Sequence, residues 1–175
     1  MSRFVICVHF SVIYVALSLI DSYTTSFAIS SSGSVFYELN PKVGDTSFTS
    51  IFFNQVKMLP LLLLFLSISF GYDLLPKRLL AMLGMGRMGS FDRFFMEIPG
   101  AASITVLFLM AIGCVNNVLV ILQFGSIADF LLSFFFSEKE MKVAFFPIFT
   151  LLLFIVIIPI SILIVSKIRC QWAES

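Results

Sequence analysis

The sequence predicts an all-α, polytopic membrane protein, and three observations support this fold class. The 175-residue chain is 59% hydrophobic and only 12% charged, whereas a soluble domain carries about 25% charged residues. Its mean hydropathy is +1.07. Four apolar segments are each long enough to cross a bilayer, which takes about 20 residues of helix. The chain shows no internal repeat and no low-complexity linker, so we expect residues 1–175 to form a single transmembrane domain.

The first two spans are predicted at residues 4–29 and 48–72. The first apolar run is too long for the core of a signal peptide, which has about 7 to 15 residues. The second span carries Asn54, Gln55 and Lys57 in its first half, followed by Pro60. A proline removes one helical hydrogen bond and can kink the helix there. The loop between the two spans is short, and we therefore expect them to be antiparallel neighbours.

A hydrophilic connection at residues 73–99 follows the second span, and we expect it to form short helices on the inner membrane face. It also contains a G-x-G-x-x-G pattern at residues 84–89, without the strand and helix that a nucleotide site requires, so we interpret it as a flexible turn. The basic side chains of this connection are expected to contact lipid headgroups or a cytoplasmic partner. They are Lys77, Arg78, Arg87 and Arg93.

The last two spans are predicted at residues 101–124 and 144–166. Gly125 is expected to end the third span, and residues 126–136 to form an amphipathic or half-inserted segment. With the N-terminus inside, the inner segments hold seven Lys and Arg residues and the outer segments hold three. This asymmetry predicts four spans with both termini inside, because cytoplasmic loops carry an excess of positive charge.

Polar side chains inside the apolar segments form the second informative pattern. Asp21 lies within the first span, where an ionised carboxylate costs about 2.5 to 3.5 kcal/mol. Such a group needs a partner, and an ion pair with Lys57, at a similar depth of the second span, would supply one. The alternative is that the Lys57 side chain extends to the outer interface. Other polar residues are expected to complete this intramembrane cluster or to cover its outer mouth. They are Thr24, Thr25, Glu38, Asn40, Asn116 and Asn117.

Three interpretations of this cluster remain open. Its hydrogen bonds would fix the registry of the helices, it would bind a ligand or partner, or it would conduct a proton or ion. The chain has no G-x-S-x-G or H-E-x-x-H motif, and its only histidine is His9. Its three cysteines lack the spacing of metal ligands. We therefore expect no enzymatic activity, no metal and no cofactor.

At these residues the chain resembles a small prokaryotic integral-membrane family whose domain has no assigned function. That family carries Asp-x-x-Thr-Thr in the first helix, Glu-x-Asn-Pro at the helix exit, and Lys and Asn in the next two helices. The similarity covers about residues 15–120; the spacing between Thr25 and Glu38 departs from the pattern by a few residues, and the fourth span lies outside it. The resemblance implies the fold and the site, but no activity. The matching residues are Asp21, Thr24, Thr25, Glu38, Asn40, Pro41, Lys57, Asn116 and Asn117.

From size and topology we expect a non-enzymatic protein of a bacterial inner membrane that binds or regulates another membrane component. One form of this expectation is an accessory or exclusion-type protein of an envelope machine. The expected partners are the lipid bilayer and either another membrane protein or further copies of the chain. A net charge of +1 gives no support for a nucleic-acid partner. The alternative is a small transporter or channel subunit that uses Asp21 and Lys57.

Overall fold

A computed structural model describes residues 3–32, 47–71 and 90–173 of the chain, and every regular element in these residues is a helix. Four helical stretches are long and apolar enough to cross a membrane, which confirms the predicted all-α fold with four candidate spans. The helices are α1 (Arg3–Ser32), α2 (Phe48–Val56), α3 (Leu59–Gly71), α4 (Ser90–Ile121), α5 (Ile127–Ser133) and α6 (Lys139–Ala173).

The membrane-length segments alternate in direction. Helices α1 and α4 are parallel, because the thiol of Cys114 lies 3.6 Å from the Leu17 carbonyl and, one turn further along both helices, Asn117 contacts Asp21. Helix α3 runs antiparallel to α4, since Ser69 bonds near the start of α4 and Leu62 bonds further along it. Helix α6 is also antiparallel to α4. The start of α1 and the end of α6 therefore lie at the same end of the bundle.

Helix α4 is the centre of the bundle and packs against α1, α3 and α6. Its contacts depend on small side chains: Ala101, Ser103 and Thr105 are fully buried. Gly100 approaches α3 so closely that an added Cβ would lie 2.7 Å from the Ser69 Cβ. Because lipid is as apolar as the helices, such close packing and interhelical hydrogen bonds hold a membrane bundle together.

Helix α4 begins earlier than predicted, and it continues through Pro99. The third span was predicted to begin at residue 101, but residues 90–99 of the predicted inner loop form the first turns of α4. Next to Pro99, the Ser69 hydroxyl lies between two backbone groups of α4. It accepts a hydrogen bond from the Gly100 amide at 2.7 Å and donates one to the Met96 carbonyl at 2.6 Å. The backbone groups beside the proline are thereby satisfied, as a lipid environment requires.

The second span is broken between α2 and α3 at residues 57–58, just before Pro60. Pro60 lies in the first turn of α3, where its missing amide hydrogen would have no helical acceptor. At the end of α2 the Gln55 carbonyl accepts a hydrogen bond from the buried Tyr14 hydroxyl at 2.7 Å. The broken span is therefore attached to α1 at its break.

Helix α4 ends at Ile121, three residues before the predicted end, because Gln123 adopts a left-handed conformation with φ of 64°. The Phe124 amide bonds to the Leu119 carbonyl at 2.9 Å, and the Gln123 amide bonds to the Val120 carbonyl at 3.0 Å. These two bonds form a Schellman motif, which closes the helix. Gly125, with φ of 87°, then leads into α5.

Helix α5 is the segment predicted to be amphipathic or half-inserted. It begins after Ser126, whose side chain accepts from the Asp129 amide, and it buries Ala128 and Leu132. Phe130 within the helix and Phe134 at its C-cap are exposed. Helix α6 follows and is longer than the predicted span of residues 144–166, since it starts at Lys139 and ends at Ala173.

Candidate functional site

Asp21 lies on α1, four residues or about 6 Å along the axis from the midpoint of the span Phe4–Ser30. This depth is within a hydrocarbon layer about 30 Å thick. The Asn117 side-chain amide on α4 donates to Asp21 Oδ1 at 2.9 Å, and the Gln55 side-chain amide on α2 donates to Oδ2. Three candidate spans thus meet at one carboxylate, and both of its oxygens accept hydrogen bonds from neutral amides.

Asn117 connects this carboxylate to a second turn of α1. Its Nδ2 donates to Thr25 Oγ1 at 2.7 Å and lies 3.4 Å from Thr24 Oγ1. An amide nitrogen has two hydrogens, so Asp21 and Thr25 are its main acceptors. The Thr24 hydroxyl instead donates to the Ile20 carbonyl at 2.9 Å. The predicted association of Asp21, Thr24, Thr25 and Asn117 is therefore present.

The predicted ion pair between Asp21 and Lys57 is wrong. Lys57 is exposed, and its ammonium group donates to Asn54 Oδ1 at 3.2 Å. Gln55 takes the place expected for Lys57, and its Oε1 lies 3.4 Å from the Ser22 hydroxyl. Side chains two residues apart on a helix point to nearly opposite sides, because each residue turns the helix by about 100°. Once Gln55 faces α1, Lys57 faces away.

Asn116 has a different role from its neighbour Asn117. Its Oδ1 accepts from the Ser126 hydroxyl at 3.0 Å and from the Ile127 amide at 2.8 Å, so it attaches the start of α5 to α4. Glu38 and Asn40, which were expected at the mouth of the cluster, lie outside the described residues, as do Lys77, Arg78 and Arg87. Arg93 lies in the first turn of α4, and its side chain is outside the described part.

A cavity of about 360 Å³ lies beside this cluster, between α1, α4, α5 and α6. Asp21 is the only ionisable residue among the described residues that line it. A mostly apolar wall with a few convergent polar groups is typical of a ligand site, and such sites measure about 300 to 1,000 Å³. The polar lining residues are Asp21, Thr25, Asn116, Asn117, Ser126 and Thr150. The apolar ones are Ala28, Ile29, Leu109, Ile112, Gly113, Val120, Ile127, Ala128, Leu131, Phe146, Phe149 and Leu153.

Two other acids in the described residues, Asp129 and Glu97, are paired with cations. Asp129 on α5 accepts from Lys142 Nζ at 2.9 Å. Glu97 accepts from Arg169 at 2.9 Å and joins α4 to α6 at the opposite end of the bundle. Asp21 differs from both, because the hydrogen-bond donors that reach it within the described residues are neutral. Within residues 3–32, 47–71 and 90–173, no three His, Cys, Asp or Glu side chains form a group that could hold a metal ion.

Comparison with known proteins finds no matching protein family, no similar curated protein and no similar solved structure. The resemblance to the small prokaryotic membrane family therefore stays a prediction.

Proposed function

We propose that this protein is a non-enzymatic, multi-span membrane protein that binds another membrane component in the cavity beside Asp21. The observation that carries the proposal is a cavity of about 360 Å³ at membrane depth with one carboxylate in its wall. Amide donors from two other helices hold that carboxylate in place. Amides, hydroxyls and a carboxylate on rigid helices are suited to orienting a ligand, since little side-chain ordering is left to occur on binding.

We propose a bacterial inner membrane as the location, with the start of α1 and the end of α6 on the cytoplasmic side. Support comes from the basic residues at that end, which include Arg3, Lys167 and Arg169. In the wider form of this proposal the protein is an accessory or exclusion-type component that acts on a larger membrane assembly or on further copies of itself. Small size and a four-span topology favour this role.

The test is mass spectrometry of the protein extracted from its native membrane in lipid nanodiscs. Thr150→Phe is designed to fill the cavity, because Thr150 lines it from α6 and its hydroxyl bonds only within that helix, to the Phe146 carbonyl at 3.0 Å. Ser67→Phe is the matched control: Ser67 makes the same kind of bond, to the Leu63 carbonyl at 2.7 Å, on an exposed side of α3.

The proposal predicts that a small molecule co-purifies with the wild-type protein and with Ser67→Phe, and is lost from Thr150→Phe. Equal amounts of bound molecule in Thr150→Phe and Ser67→Phe would refute the assignment of the cavity as the binding site. Thermal unfolding of both variants verifies that each is folded before its bound material is compared.

The alternative function is a small transporter or channel subunit. It is favoured by one observation, the position of the Asp21 carboxylate beside a cavity at membrane depth, because intramembrane acids mark many ion and proton paths. With Lys57 directed away, this path would use Asp21 alone. It predicts that proteoliposomes carrying the wild-type protein conduct protons or cations and that Asp21→Asn abolishes the flux. Wild-type proteoliposomes no more permeable than empty liposomes would refute it.

A further inference from the structure

We propose that the ligand of this cavity is an amphipathic amine: a free, lipid-soluble molecule whose ammonium group pairs with Asp21 and whose apolar part fills the remaining space. This inference rests on the proposed binding function and specifies the chemical class of its ligand. Three features support it: the charge of the cavity, the uncovered side of the Asp21 carboxylate, and the apolar residues that form the rest of the cavity wall.

The charge of the cavity favours a cation. Asp21 is the only ionisable group among its described lining residues, and the Gln55 and Asn117 amides that donate to it are neutral. An ionised carboxylate inside a bilayer is costly unless a positive charge compensates it. The described acids Asp129 and Glu97 obtain that compensation from Lys142 and Arg169. At Asp21 the described part of the chain supplies no such cation, and a bound ammonium group would.

The geometry leaves room for an ammonium group at Oδ1. A carboxylate has about four acceptor positions, and the amides of Asn117 and Gln55 occupy one on each oxygen. Gly113, also in the cavity wall, has no side chain to cover Oδ1: a Cβ at that position would lie 3.5 Å from this oxygen. Asp21 and Gly113 both line the cavity, so the cavity borders the carboxylate on the side where Gly113 leaves it uncovered.

The opposite wall suits an apolar body. Phe146, Phe149 and Leu153 line the cavity from α6, and Leu109 and Ile112 line it from α4. Aromatic rings also attract a cation that lies over their faces. Asp21 lies about 6 Å from the midpoint of its span, deeper than a lipid headgroup resides, so the geometry favours a free amine over the ammonium headgroup of a bilayer lipid.

The experiment is photolabelling in nanodiscs of a zwitterionic choline lipid. The probe is octylamine carrying a diazirine on its chain, and the matched uncharged probe is octanol with the same diazirine. Labelled residues are mapped by peptide mass spectrometry. The protein variants are the wild type, Asp21→Asn and the control Asp129→Asn, which makes the same substitution at a carboxylate that does not line the cavity and whose side chain is 60% exposed.

The proposal predicts that the amine labels cavity-lining residues of α4 and α6 in the wild type. In Asp21→Asn this labelling falls at least about tenfold, because a charge-assisted hydrogen bond is lost. It persists in Asp129→Asn, and octanol labels all three proteins equally. Amine labelling that is the same in the wild type and Asp21→Asn would overturn the proposal.

A second variant decides the question if Asp21→Asn does not fold. Gly113→Ala introduces a methyl group at ordinary contact distance from Oδ1, so it shields this oxygen without displacing the helices. We expect it to reduce amine labelling severalfold and to leave octanol labelling unchanged. Unchanged amine labelling in Gly113→Ala would also overturn the proposal.

Two further comparisons are needed. One distinguishes an error in the proposed ligand class from an error in the proposed binding function, and the other distinguishes a free amine from a lipid headgroup. If Thr150→Phe removes the native bound molecule while amine labelling does not depend on Asp21, the cavity binds a membrane component but the ligand is not a cation. If nanodiscs of an ethanolamine lipid abolish amine labelling, a lipid ammonium headgroup is the occupant and the free amine is refuted. Retained labelling in those nanodiscs supports the free amine.

Discussion

Replacing Asn117 with leucine should destabilise the bundle, because Asn117 joins α4 to two turns of α1. The side chain donates to Asp21 Oδ1 at 2.9 Å and to Thr25 Oγ1 at 2.7 Å. Leucine has the same branching and the same number of side-chain heavy atoms, but no donor. Asn117→Leu therefore removes both bonds without leaving a large cavity, and Asp21 keeps only its bond from Gln55.

The expected size of the effect follows from these two bonds. A neutral hydrogen bond contributes about 0.5 to 1.5 kcal/mol and one to a charged group about 1.5 to 3 kcal/mol, which together give about 2 to 4.5 kcal/mol. Interhelical hydrogen bonds measured in membranes average only about 0.6 kcal/mol each, which gives a lower value of about 1.2 kcal/mol. We expect Asn117→Leu to lower the free energy of unfolding by about 1 to 4 kcal/mol.

The assay is reversible unfolding in bicelles, followed by steric trapping or by denaturing detergent. Asn54→Leu is the matched control, because Asn54 is exposed and its side chain accepts from Lys57 of the same span. We expect this control to change the free energy of unfolding by less than about 0.5 kcal/mol. Equal effects at Asn54 and Asn117 would show that the substitution itself, and not the interhelical contact, is responsible.

A double-mutant cycle isolates the contact between the two helices. Asp21→Leu and Asn117→Leu should be coupled by at least about 0.5 kcal/mol, because each variant already removes the bond that the other would remove. The reasoning is refuted if the two effects add within about 0.3 kcal/mol, since the Asp21–Asn117 bond would then contribute nothing to stability.

Three further predictions concern helix packing. Gly100→Ala should lower the free energy of unfolding by about 1 to 3 kcal/mol, because its Cβ would lie 2.7 Å from the Ser69 Cβ. Gly71→Ala, in open space, should be nearly neutral, and thermal unfolding compares the two variants. Glu97→Leu should cost up to about 3 kcal/mol, and Glu97→Arg combined with Arg169→Glu should recover most of it in the same measurement; no recovery would contradict a pairwise role. Asn116→Ala removes two bonds to the start of α5, so hydrogen exchange there should accelerate while exchange in α6 stays unchanged.

The cluster around Asp21 shows which contacts between polar side chains the sequence can predict. The cost of an acid in the first span predicts that Asp21 has partners, and Asn117 is one of those expected. The charge and depth of Lys57 favour it as a partner of Asp21, but depth does not specify the side of a helix. The break at residues 57–58 and the bond from Tyr14 to the Gln55 carbonyl set the rotation of α2, which directs Gln55 toward Asp21.

The helix boundaries differ from the predicted ones for similar reasons. Hydropathy places the third span at residues 101–124, yet α4 is Ser90–Ile121. Its start is helical because Ser69, on a different span, satisfies backbone groups on either side of Pro99. Its end is set by left-handed Gln123, a residue type with no strong preference for that conformation. The contact from Ser69 is not visible in a window of neighbouring residues, and the residue type at position 123 does not indicate a left-handed conformation.

The sequence by itself determined that the chain is a four-span helical protein and that Asp21 requires partners, because both depend on transfer free energies that each segment carries alone. Only the tertiary structure decided which neutral groups hold Asp21, and that a cavity between α1, α4, α5 and α6 reaches it. Those features depend on the rotation of each helix about its axis. The hydropathy of a segment does not depend on that rotation, whereas the contacts between helices determine it for each helix.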